Sequence, residues 1–499
     1  MDRRTLVAAL DYIPAWLEFQ MRLSEQPGCA VAIAHRGRIV LERAFGHANL
    51  ATGAELTPRH RFRVASHSKS FTAAGVMKLR ERGRVRLDDP VGRYLSGLHR
   101  GVGEVTIGQL LSHSAGIARD GADCGQWEDE RTFLAAGELL HDLSQGPAIV
   151  PGTRFKYSNH GYGLLGLALQ EITGQPYAAW IDREVIQPAG LTETSPDVPG
   201  APTRARAAGR GSSQSAGRGR SEPAARGRSR ASVRSRSAVP MASGHTNKVV
   251  LGRRLVIPGD NPTNALAPAT GFVSTAADLA RFFSLLHPEA KGSFLSTASR
   301  LEMTRRHWTC PHSCVERHYG LGIISGRTGE WDWFGHSGGF QGFITRTAVV
   351  GGERLAVSVL TNAVDGPAAA WLDGTLSILQ GYARHGAPSR RNASWTGRWW
   401  TLWSALDLLP MRDRVLVAVP SVAANPLLDA REIEVTGKNT GRIALDGGFG
   451  SHGEGVRIER DARGRARALW MAGSRLLPER EFTRSLEKRY GTGRRRARR

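Results

Sequence analysis

The sequence predicts an α/β or α+β domain followed by a smaller antiparallel β domain, and two observations lead to this prediction. Strand-like apolar runs occur at residues 29–45 and again at 319–361, with helical segments between them. One sheet must therefore join strands that are distant in sequence. Beyond residue 394, short alternating runs separated by turn residues are typical of an antiparallel barrel or sandwich. A chain of 499 residues is long enough for two such domains.

The first domain is predicted to span residues 1–384. Apolar residues recur at three- and four-residue steps from Leu6 to Met21, which predicts an amphipathic helix rather than an export signal. Two strands are predicted within residues 29–45, joined around Arg36-Gly37. The periodicity then predicts helices at 66–82, 105–115, 159–175, 276–286 and 368–383, and strands at 319–325, 331–334, 342–350 and 354–361.

The second domain is predicted at residues 395–482, after a polar linker at 385–394 and before a basic tail at 483–499. Its predicted strands lie at 415–419, 432–436, 442–445, 456–460 and 466–471. Four tryptophans cluster where it begins: Trp395, Trp399, Trp400 and Trp403. We interpret them as core or interdomain packing, with a carbohydrate platform as the alternative, because large aromatics chiefly supply buried area.

The net charge of +23 is unevenly distributed along the chain. Residues 202–240 carry +9, residues 484–499 carry +7, and all the others together carry only +7. The excess belongs to two low-complexity segments rather than to a patterned surface, so we do not expect a nucleic-acid-binding protein. Segment 202–240 has almost no bulky apolar residue and is predicted to be a disordered insert. Three interpretations of it remain open: a solvated loop, a basic tether for RNA or acidic partners, and a local reading-frame error.

Composition also bears on location. No run approaches the ~18 apolar residues of a membrane span, so no membrane association is predicted. Four cysteines in so long a chain imply no disulfide framework: Cys29, Cys124, Cys310 and Cys314. We therefore predict a cytoplasmic protein. A metal site built from His307, Cys310, His312, Cys314 and His318 is the rival hypothesis, but its spacing matches no common zinc pattern, and no metal is predicted.

The first candidate catalytic pair is Ser66 and Lys69. Ser66 follows a strand-like run and opens a predicted helix, on which Lys69 shares its face. A purely structural capping serine would prefer Glu or Gln three residues later, whereas a lysine is electrostatically unfavourable at a helix start. A lysine in positive potential and low dielectric loses its proton more easily, and a neutral amine can act as general base for a hydroxyl. A second such pair, Ser485 and Lys488, lies in the charged tail without this context.

Two further motifs offer complementary groups. Tyr157-Ser158-Asn159 lies in a turn before an apolar helix. The Tyr157 phenol can relay a proton to a leaving group, helped if a lysine cation lowers its pKa, and the Asn159 amide can bind substrate. His336-Ser337-Gly338-Gly339 lies between two strand-like runs, and its glycines allow a substrate to approach the backbone closely. A strand-edge N–H there would complete an oxyanion hole whose first donor is the N–H of Ser66.

Several segments together resemble the serine β-lactamase-related family, which includes class C β-lactamases, DD-peptidases, D-aminopeptidases and family VIII esterases. The resemblance covers residues 28–384 apart from the basic insert. The segments occur in the family's order: FRVASHSKSFTA, GRVRLDDPVGRYL, TIGQLLSHSAGI, PGTRFKYSNHGYGLLG and GHSGGFQGF. The resemblance implies an α/β sandwich, with an antiparallel sheet flanked by helices and a helical subdomain. It also implies an acyl-serine hydrolase that needs no cofactor.

The resemblance implies a role for each motif. Ser66 would be the nucleophile, Lys69 the base or proton relay and Tyr157 its partner; Asn159, His336, Ser337 and Gly338 would bind substrate; Ser66 and Gly339 would supply the oxyanion hole. His336 stands where many β-lactamases carry the lysine of Lys-Thr-Gly, a cation suited to a substrate carboxylate. A neutral histidine there is similar to the esterase and aminopeptidase branches. The expected substrate is therefore a small molecule or short peptide with an ester or amide bond.

Alternatives remain at this stage. A catalytically silent member of the family that binds a peptide or partner would keep the same fold without turnover. A nucleic-acid-binding role would rest on the basic segments alone. The sequence leaves the acyl group, the leaving group and the oligomeric state undetermined.

Overall fold

A computed structural model describes residues 1–198, 240–310, 315–429, 431–447 and 450–491. Most of the predicted insert at 202–240 therefore lies outside the described residues. The helices are α1 Arg3–Leu23, α2 Ser68–Glu81, α3 Arg100–Gly103, α4 Ile107–Leu111, α5 Ala136–Leu143, α6 Asn159–Thr173, α7 Tyr177–Ile181, α8 Ala276–Leu285, α9 Thr297–Thr304, α10 Ala368–His385 and α11 Glu479–Tyr490. In the part of the chain that is described, no helix is long and apolar enough to cross a membrane.

The strands of the first domain belong to one large sheet and two short pairs. They are β1 Gly28–His35, β2 Arg38–Asn49, β3 Ala54–Glu55, β4 Phe62–Arg63, β5 Gly244–His245, β6 Val256–Ile257, β7 Val273–Ser274, β8 Trp308–Thr309, β9 Arg317–Tyr319, β10 Ile324–Thr328, β11 Trp331–Phe340, β12 Phe343–Val350 and β13 Leu355–Thr361. The large sheet has the order β3-β2-β1-β13-β12-β11-β10-β9-β8, while β4 pairs with β7 and β5 with β6. All its pairs are antiparallel, and β1 pairs with β13 from Cys29↔Thr361 to His35↔Leu355. The predicted sheet of sequence-distant strands is confirmed.

Both faces of this sheet are covered, which explains why β1 is a continuous apolar run. Alternate residues of a strand point to opposite faces. Ala30, Ala32 and Ala34 belong to a core that includes α2 and α8, whereas Cys29, Val31 and Ile33 belong to a second core with α1 and α10. A Cβ on Gly374 of α10 would lie 2.4 Å from the buried Trp16 ring of α1, so the two helices pack in close contact. The large sheet is thus sandwiched between two helical layers.

Several predicted elements differ from the structure. The helix predicted at 105–115 is only the short α4, Ile107–Leu111, because the chain turns at His113, whose φ is +59. The run at 319–325 is not one strand: β9 ends at Tyr319, Gly322 has φ +68, and β10 begins at Ile324. Helix α2 begins at Ser68, because a short 3₁₀ turn at Ala65–His67 precedes it. The strand predicted at 331–334 continues through Phe340, so His336 lies inside β11 rather than between two strands. As a result, His336–Gly339 are part of the large sheet itself.

The C-terminal domain is an eight-stranded antiparallel meander in which sequential strands are neighbours. Its strands are β14 Gly397–Trp400, β15 Ala405–Met411, β16 Arg414–Ala418, β17 Arg431–Val435, β18 Thr440–Leu445, β19 Gly455–Arg460, β20 Ala466–Met471 and β21 Ser474–Leu476. Trp395 and Trp399 are buried in its core, as predicted. Trp403 is 92% exposed, so the predicted packing role is wrong for this residue. The predicted antiparallel β domain is confirmed, although three of its strands, β14, β15 and β21, were not predicted.

The ends of this domain contact the first domain. Helix α10 extends to His385, where the linker was predicted to begin, and Asp407 of β15 accepts a hydrogen bond from Tyr12 of α1 at 2.7 Å. Arg398 forms two hydrogen bonds with the same carboxylate. Helix α11 runs through the boundary predicted at residue 483, so the first part of the basic tail is helical, and residues 492–499 lie outside the described part.

Candidate active site

Ser66 lies on a strained turn between the short strand β4 and helix α2. Ala65, just before it, has φ +48, a left-handed conformation that costs energy for a residue with a Cβ. The turn is held from both sides, because Val64 N–H donates to Phe272 O at 2.9 Å and Ser68 Oγ donates to Ala65 O at 2.5 Å. This conformation leaves Ser66 half-buried at the wall of a cavity, three residues before Lys69.

Lys69 is completely buried, and its Nζ has three neighbours. Nζ lies 2.7 Å from Asn159 Oδ1, 2.8 Å from the backbone oxygen of Ala269 and 3.2 Å from Ser66 Oγ. Burial lowers the pKa of Lys69 well below its ordinary value; the nearby Asp120 carboxylate raises this pKa and the Arg119 guanidinium lowers it. A neutral amine has two hydrogens and one lone pair. If the two obligate acceptors take the hydrogens, the lone pair is left facing Ser66 Oγ.

Tyr157 contacts the other side of the same hydroxyl. Its OH donates to Ser66 Oγ at 2.8 Å, and Lys69 Nζ stands 4.7 Å from the centre of its ring. Burial raises the pKa of Tyr157 above its ordinary value, and the hydrogen bond with Ser66 lowers it only in part. The condition considered from the sequence, a lysine cation that lowers this pKa, is not met, because Lys69 is itself buried and its protonated form is disfavoured. Tyr157 is therefore a neutral phenol that can donate a proton.

Asn159 begins helix α6, where the Ser158 hydroxyl caps the helix by accepting from Gly161 N–H at 2.8 Å. The side-chain amide of Asn159 is fixed in one orientation. Asn159 Nδ2 donates to Asp120 Oδ1 at 2.6 Å, so Asn159 Oδ1 faces Lys69. Asp120 also accepts from Trp127 Nε1 at 3.1 Å and forms an ion pair with Arg119 at 3.0 Å. The loop around Asp120 therefore orders the asparagine that contacts the lysine.

The His336–Gly339 segment forms the opposite wall. The pairing of β10 with β11 ends at Ile324↔Gly335, so beyond Gly335 this edge of β11 borders the cavity. The Ser337 N–H and C=O both lie within hydrogen-bond distance of His336 Nδ1, and by strand alternation the Gly339 N–H is directed to the same side of β11 as the Ser337 N–H. A Cβ on Gly338 would come within 2.2 Å of Val64 O, which fixes β11 against the Ser66 turn.

His336 lies in the wall of the cavity but is itself buried. Its Nε2 lies 3.1 Å from Tyr319 OH and its Nδ1 2.7 Å from Ser337 O. Burial is the largest of the effects that lower its pKa well below the ordinary value, and His67 and Lys69 lower it further. The imidazole is thus neutral, and both of its nitrogens have partners within the protein.

The structure brings together all of the predicted residues: Ser66, Tyr157, Asn159, His336, Ser337, Gly338 and Gly339 line one cavity of about 310 Å³, with Lys69 directly behind Ser66. The sequence reasoning missed Arg119, Asp120, Trp127 and Ile324, which line the same cavity. It also missed His113, whose ring lies 4.1 Å from that of Tyr157 and whose Nδ1 accepts from Ser158 N–H. These residues carry no spacing signal, because loops and distant strands bring them to the site.

The rival metal site cannot be assembled from the described residues. His312 and Cys314 lie outside them, and His318 is engaged by Thr309 and Glu316 at 3.1 and 3.0 Å. Within the described ranges, no group of three or more His, Cys, Asp or Glu side chains could hold a metal ion.

Comparison with known families identifies the class to which this fold and site belong. The family model described as Beta-lactamase matches residues 19–380, and the chain is a member of that family. The resemblance stated from the motifs is thereby confirmed.

Among curated proteins, Protein flp of Staphylococcus aureus (strain NCTC 8325 / PS 47) is 30% identical over 189 residues, 36% of each chain. Penicillin-binding protein 4* of Bacillus subtilis (strain 168) is 32% identical over 170 residues, which cover 33% of this chain and 37% of that protein. The matched region thus spans only about a third of these relatives.

Solved structures share the fold over a greater length. The octameric penicillin-binding protein homologue from Pyrococcus abyssi has a TM-score of 0.60 at 21% identity, covering 94% of this chain and 99% of its own. SurE has a TM-score of 0.57 at 22% identity over 95% of this chain and 100% of its own. The D-amino acid amidase from Ochrobactrum anthropi SV3, complexed with L-phenylalanine amide, has a TM-score of 0.58 at 20% identity over 75% and 98%. The β-lactamase-like fold is confirmed.

Proposed function

We propose that this protein is a serine hydrolase that cleaves an ester or amide bond through an acyl-Ser66 intermediate. One observation carries the proposal: Ser66 Oγ lies 3.2 Å from the Nζ of a buried lysine and 2.8 Å from a neutral tyrosine hydroxyl. A nucleophile within reach of a base, with a proton donor on its other side, is the arrangement that acyl transfer requires. Membership of the β-lactamase family supports the same class of chemistry.

The contacts support a role for each group. Lys69 accepts the Ser66 proton as Oγ attacks the carbonyl carbon, since a neutral amine that donates its two hydrogens to Asn159 Oδ1 and Ala269 O has its lone pair free for Ser66 Oγ, 3.2 Å away. The oxyanion that forms is bound by the N–H groups of Ser66 and Gly339. Tyr157 donates its proton to the leaving group as the carbon–heteroatom bond breaks. The proton that Lys69 took from Ser66 is then transferred to Tyr157 and restores its hydroxyl. Water, activated by the same pair, then releases the acyl group from Ser66.

The substrate is an ester or an amino-acid-like amide rather than a β-lactam. A permanent cation at the position of His336 suits the carboxylate of a penicillin, but His336 is buried, neutral and hydrogen-bonded within the protein to Tyr319 and Ser337. Neighbours in fold include a D-stereospecific amidohydrolase from Streptomyces sp. and the D-amino acid amidase from Ochrobactrum anthropi SV3. The cavity of about 310 Å³ suits a small molecule or the end of a short peptide.

A cytoplasmic location accompanies this proposal. Cys29 is a buried free thiol, and Cys124 is an exposed one. Unpaired cysteines are the norm in reducing compartments. Cell fractionation with an antibody would test the location independently of the chemistry.

The proposal is tested by measuring intact mass after treatment with a fluorophosphonate. We expect one adduct on the wild type and none on Ser66→Ala, with Ser485→Ala, the other serine three residues before a lysine, labelled like the wild type. Panels of esters, D-aminoacyl amides and β-lactams then choose the branch. A correctly folded wild type that forms no adduct would favour the silent, partner-binding alternative and overturn the proposal.

A further inference from the structure

We infer that Arg119 makes the Ser66 cavity an anion-binding site, so that the preferred substrates carry a carboxylate near the scissile ester or amide bond. This inference rests on the proposed function and names the substrate class of the same site. It departs from the expectation that a neutral His336 leaves the cavity without a cation, because the positive charge comes from the opposite wall.

The charges that border the cavity are few. Of its eleven lining residues only Arg119 and Asp120 carry a formal charge at neutral pH. Lys69 lies behind Ser66 and is completely buried; burial lowers its pKa well below the ordinary value, although Asp120 raises it and Arg119 lowers it by smaller amounts. His336 is neutral for the same physical reason. The electrostatics of the open cavity therefore depend on one arginine and one aspartate.

These two residues differ in what they offer to a ligand. The Asp120 side chain is only 10% exposed, and its oxygens are engaged by Asn159, Trp127 and Arg119. Those three partners enclose the carboxylate and leave it little access to a ligand. The Arg119 side chain is 67% exposed, and its ion pair with Asp120 is formed through Nε at 3.0 Å. Among the residues that the structure describes, no acceptor lies on its two Nη groups, so the face of the guanidinium that binds carboxylates bidentately is open.

Arg119 is also close to the reacting groups. The centre of its guanidinium lies 5.6 Å from the Tyr157 ring, whose hydroxyl donates to Ser66 Oγ. An anion bound on the Nη groups would thus lie beside the tyrosine that protonates the leaving group. The positive charge of Arg119 also disfavours a substrate ammonium group at this position. A specificity for amino-acid amides alone would not predict this discrimination.

The inference is tested with matched substrates. On the acyl side, the anionic nitrophenyl monoesters of succinate, glutarate and adipate are each compared with the neutral nitrophenyl ester of equal chain length. The cationic nitrophenyl aminohexanoate is compared with the neutral hexanoate. On the leaving-group side, acetoxybenzoate is paired with phenyl acetate. The quantity compared is the ratio of kcat/KM within each pair, after subtraction of spontaneous hydrolysis, because effects of a variant on the shared chemical step cancel in this ratio.

We expect wild type to prefer the anionic member of at least one pair by about 10-fold or more, as a charge-assisted hydrogen-bonded pair provides. Arg119→Gln should remove that preference and Arg119→Lys should restore part of it. Arg80→Gln, which removes an equal charge from the exposed end of α2, should leave the ratio unchanged. Added salt should reduce the wild-type preference, since the guanidinium is solvent-exposed.

The outcomes separate the inference from the proposed function. Equal turnover of all pair members by wild type and Arg119→Gln, with Ser66→Ala inactive, would overturn the anion site and leave the acyl-serine mechanism standing. A preference that survives in Arg119→Gln would place the anion elsewhere and also overturn it. Failure of every ester, together with the absence of a fluorophosphonate adduct, would overturn both.

Discussion

The Nζ of Lys69 and the Oγ of Ser66 lie 3.2 Å apart, and the two residues are three positions apart at the start of α2. The other two contacts of the amine, with Asn159 Oδ1 and Ala269 O, are shorter and are made to atoms that can only accept. The lysine is thus held by the rest of the domain in the orientation in which it can accept the serine proton. This arrangement leads directly to the first two predictions.

Ser66→Ala is expected to abolish turnover while leaving stability nearly unchanged, because it removes one half-buried oxygen from the cavity wall. The measurement is kcat/KM on the best ester, together with urea unfolding of both proteins. Ser485→Ala on helix α11 serves as the control and should retain full activity. Substantial turnover by Ser66→Ala would exclude the acyl-Ser66 mechanism.

Lys69→Arg is expected to lose nearly as much activity as Ser66→Ala at every pH, since a guanidinium stays protonated and cannot serve as base. In the wild type, burial lowers the pKa of Lys69 well below its ordinary value, which favours the neutral amine. The acylation rate should therefore persist well below the ordinary lysine pKa and decline only as acid protonates Nζ. A rate that rises only near the ordinary pKa of lysine would contradict this assignment.

Tyr157→Phe is expected to impair amides far more than activated esters. A neutral phenol that donates to the leaving group contributes about 10²- to 10⁴-fold where the leaving group needs a proton, and little where nitrophenolate departs unaided. The test is the ratio of kcat/KM for an anilide to that for the nitrophenyl ester of the same acyl group. Equal losses on both substrates would assign Tyr157 to another step.

Gly338→Ala is expected to reduce activity strongly by separating β11 from the Ser66 turn. The added Cβ would lie 2.2 Å from Val64 O and 2.7 Å from Thr345 Oγ1, and the first of these neighbours is backbone that cannot rotate away. Gly137→Ala on α5, where a Cβ meets nothing within 4 Å, is the control and should be neutral or slightly stabilising. Wild-type activity in Gly338→Ala would show that this approach is not needed for function.

Stability is expected to fall as pH drops from about 6.5 to 4. Burial lowers the pKa of His67 from 6.5 to about 4, so over that interval the unfolded chain binds a proton that the folded protein excludes. The contribution of His67 is complete above pH 6.5, and about 3 kcal/mol of it is lost by pH 4. Urea unfolding of wild type, His67→Gln and the exposed-site control His141→Gln at several pH values measures this effect. A pH dependence identical in all three proteins would contradict it.

By itself, the sequence determined the fold class and the reactive groups. The continuous apolar run of β1, the periodicity of α1 and α6, and the spacing of Ser66 from Lys69 are patterns within short segments of the chain, and the structure confirms the strands and helices that they predict. The antiparallel C-terminal domain follows from the same kind of pattern. The family resemblance then ordered these motifs into one site.

Only the tertiary structure decided the environment of those groups. The lowered pKa of Lys69, the raised pKa of Tyr157 and the hydrogen bond of His336 with Tyr319 all depend on burial and on partners from distant segments. Arg119 and Asp120 come from a loop without periodicity, and the split of residues 319–325 depends on a turn that packs against α2. Dielectric and distance are properties of the packed chain, so no local pattern encodes them.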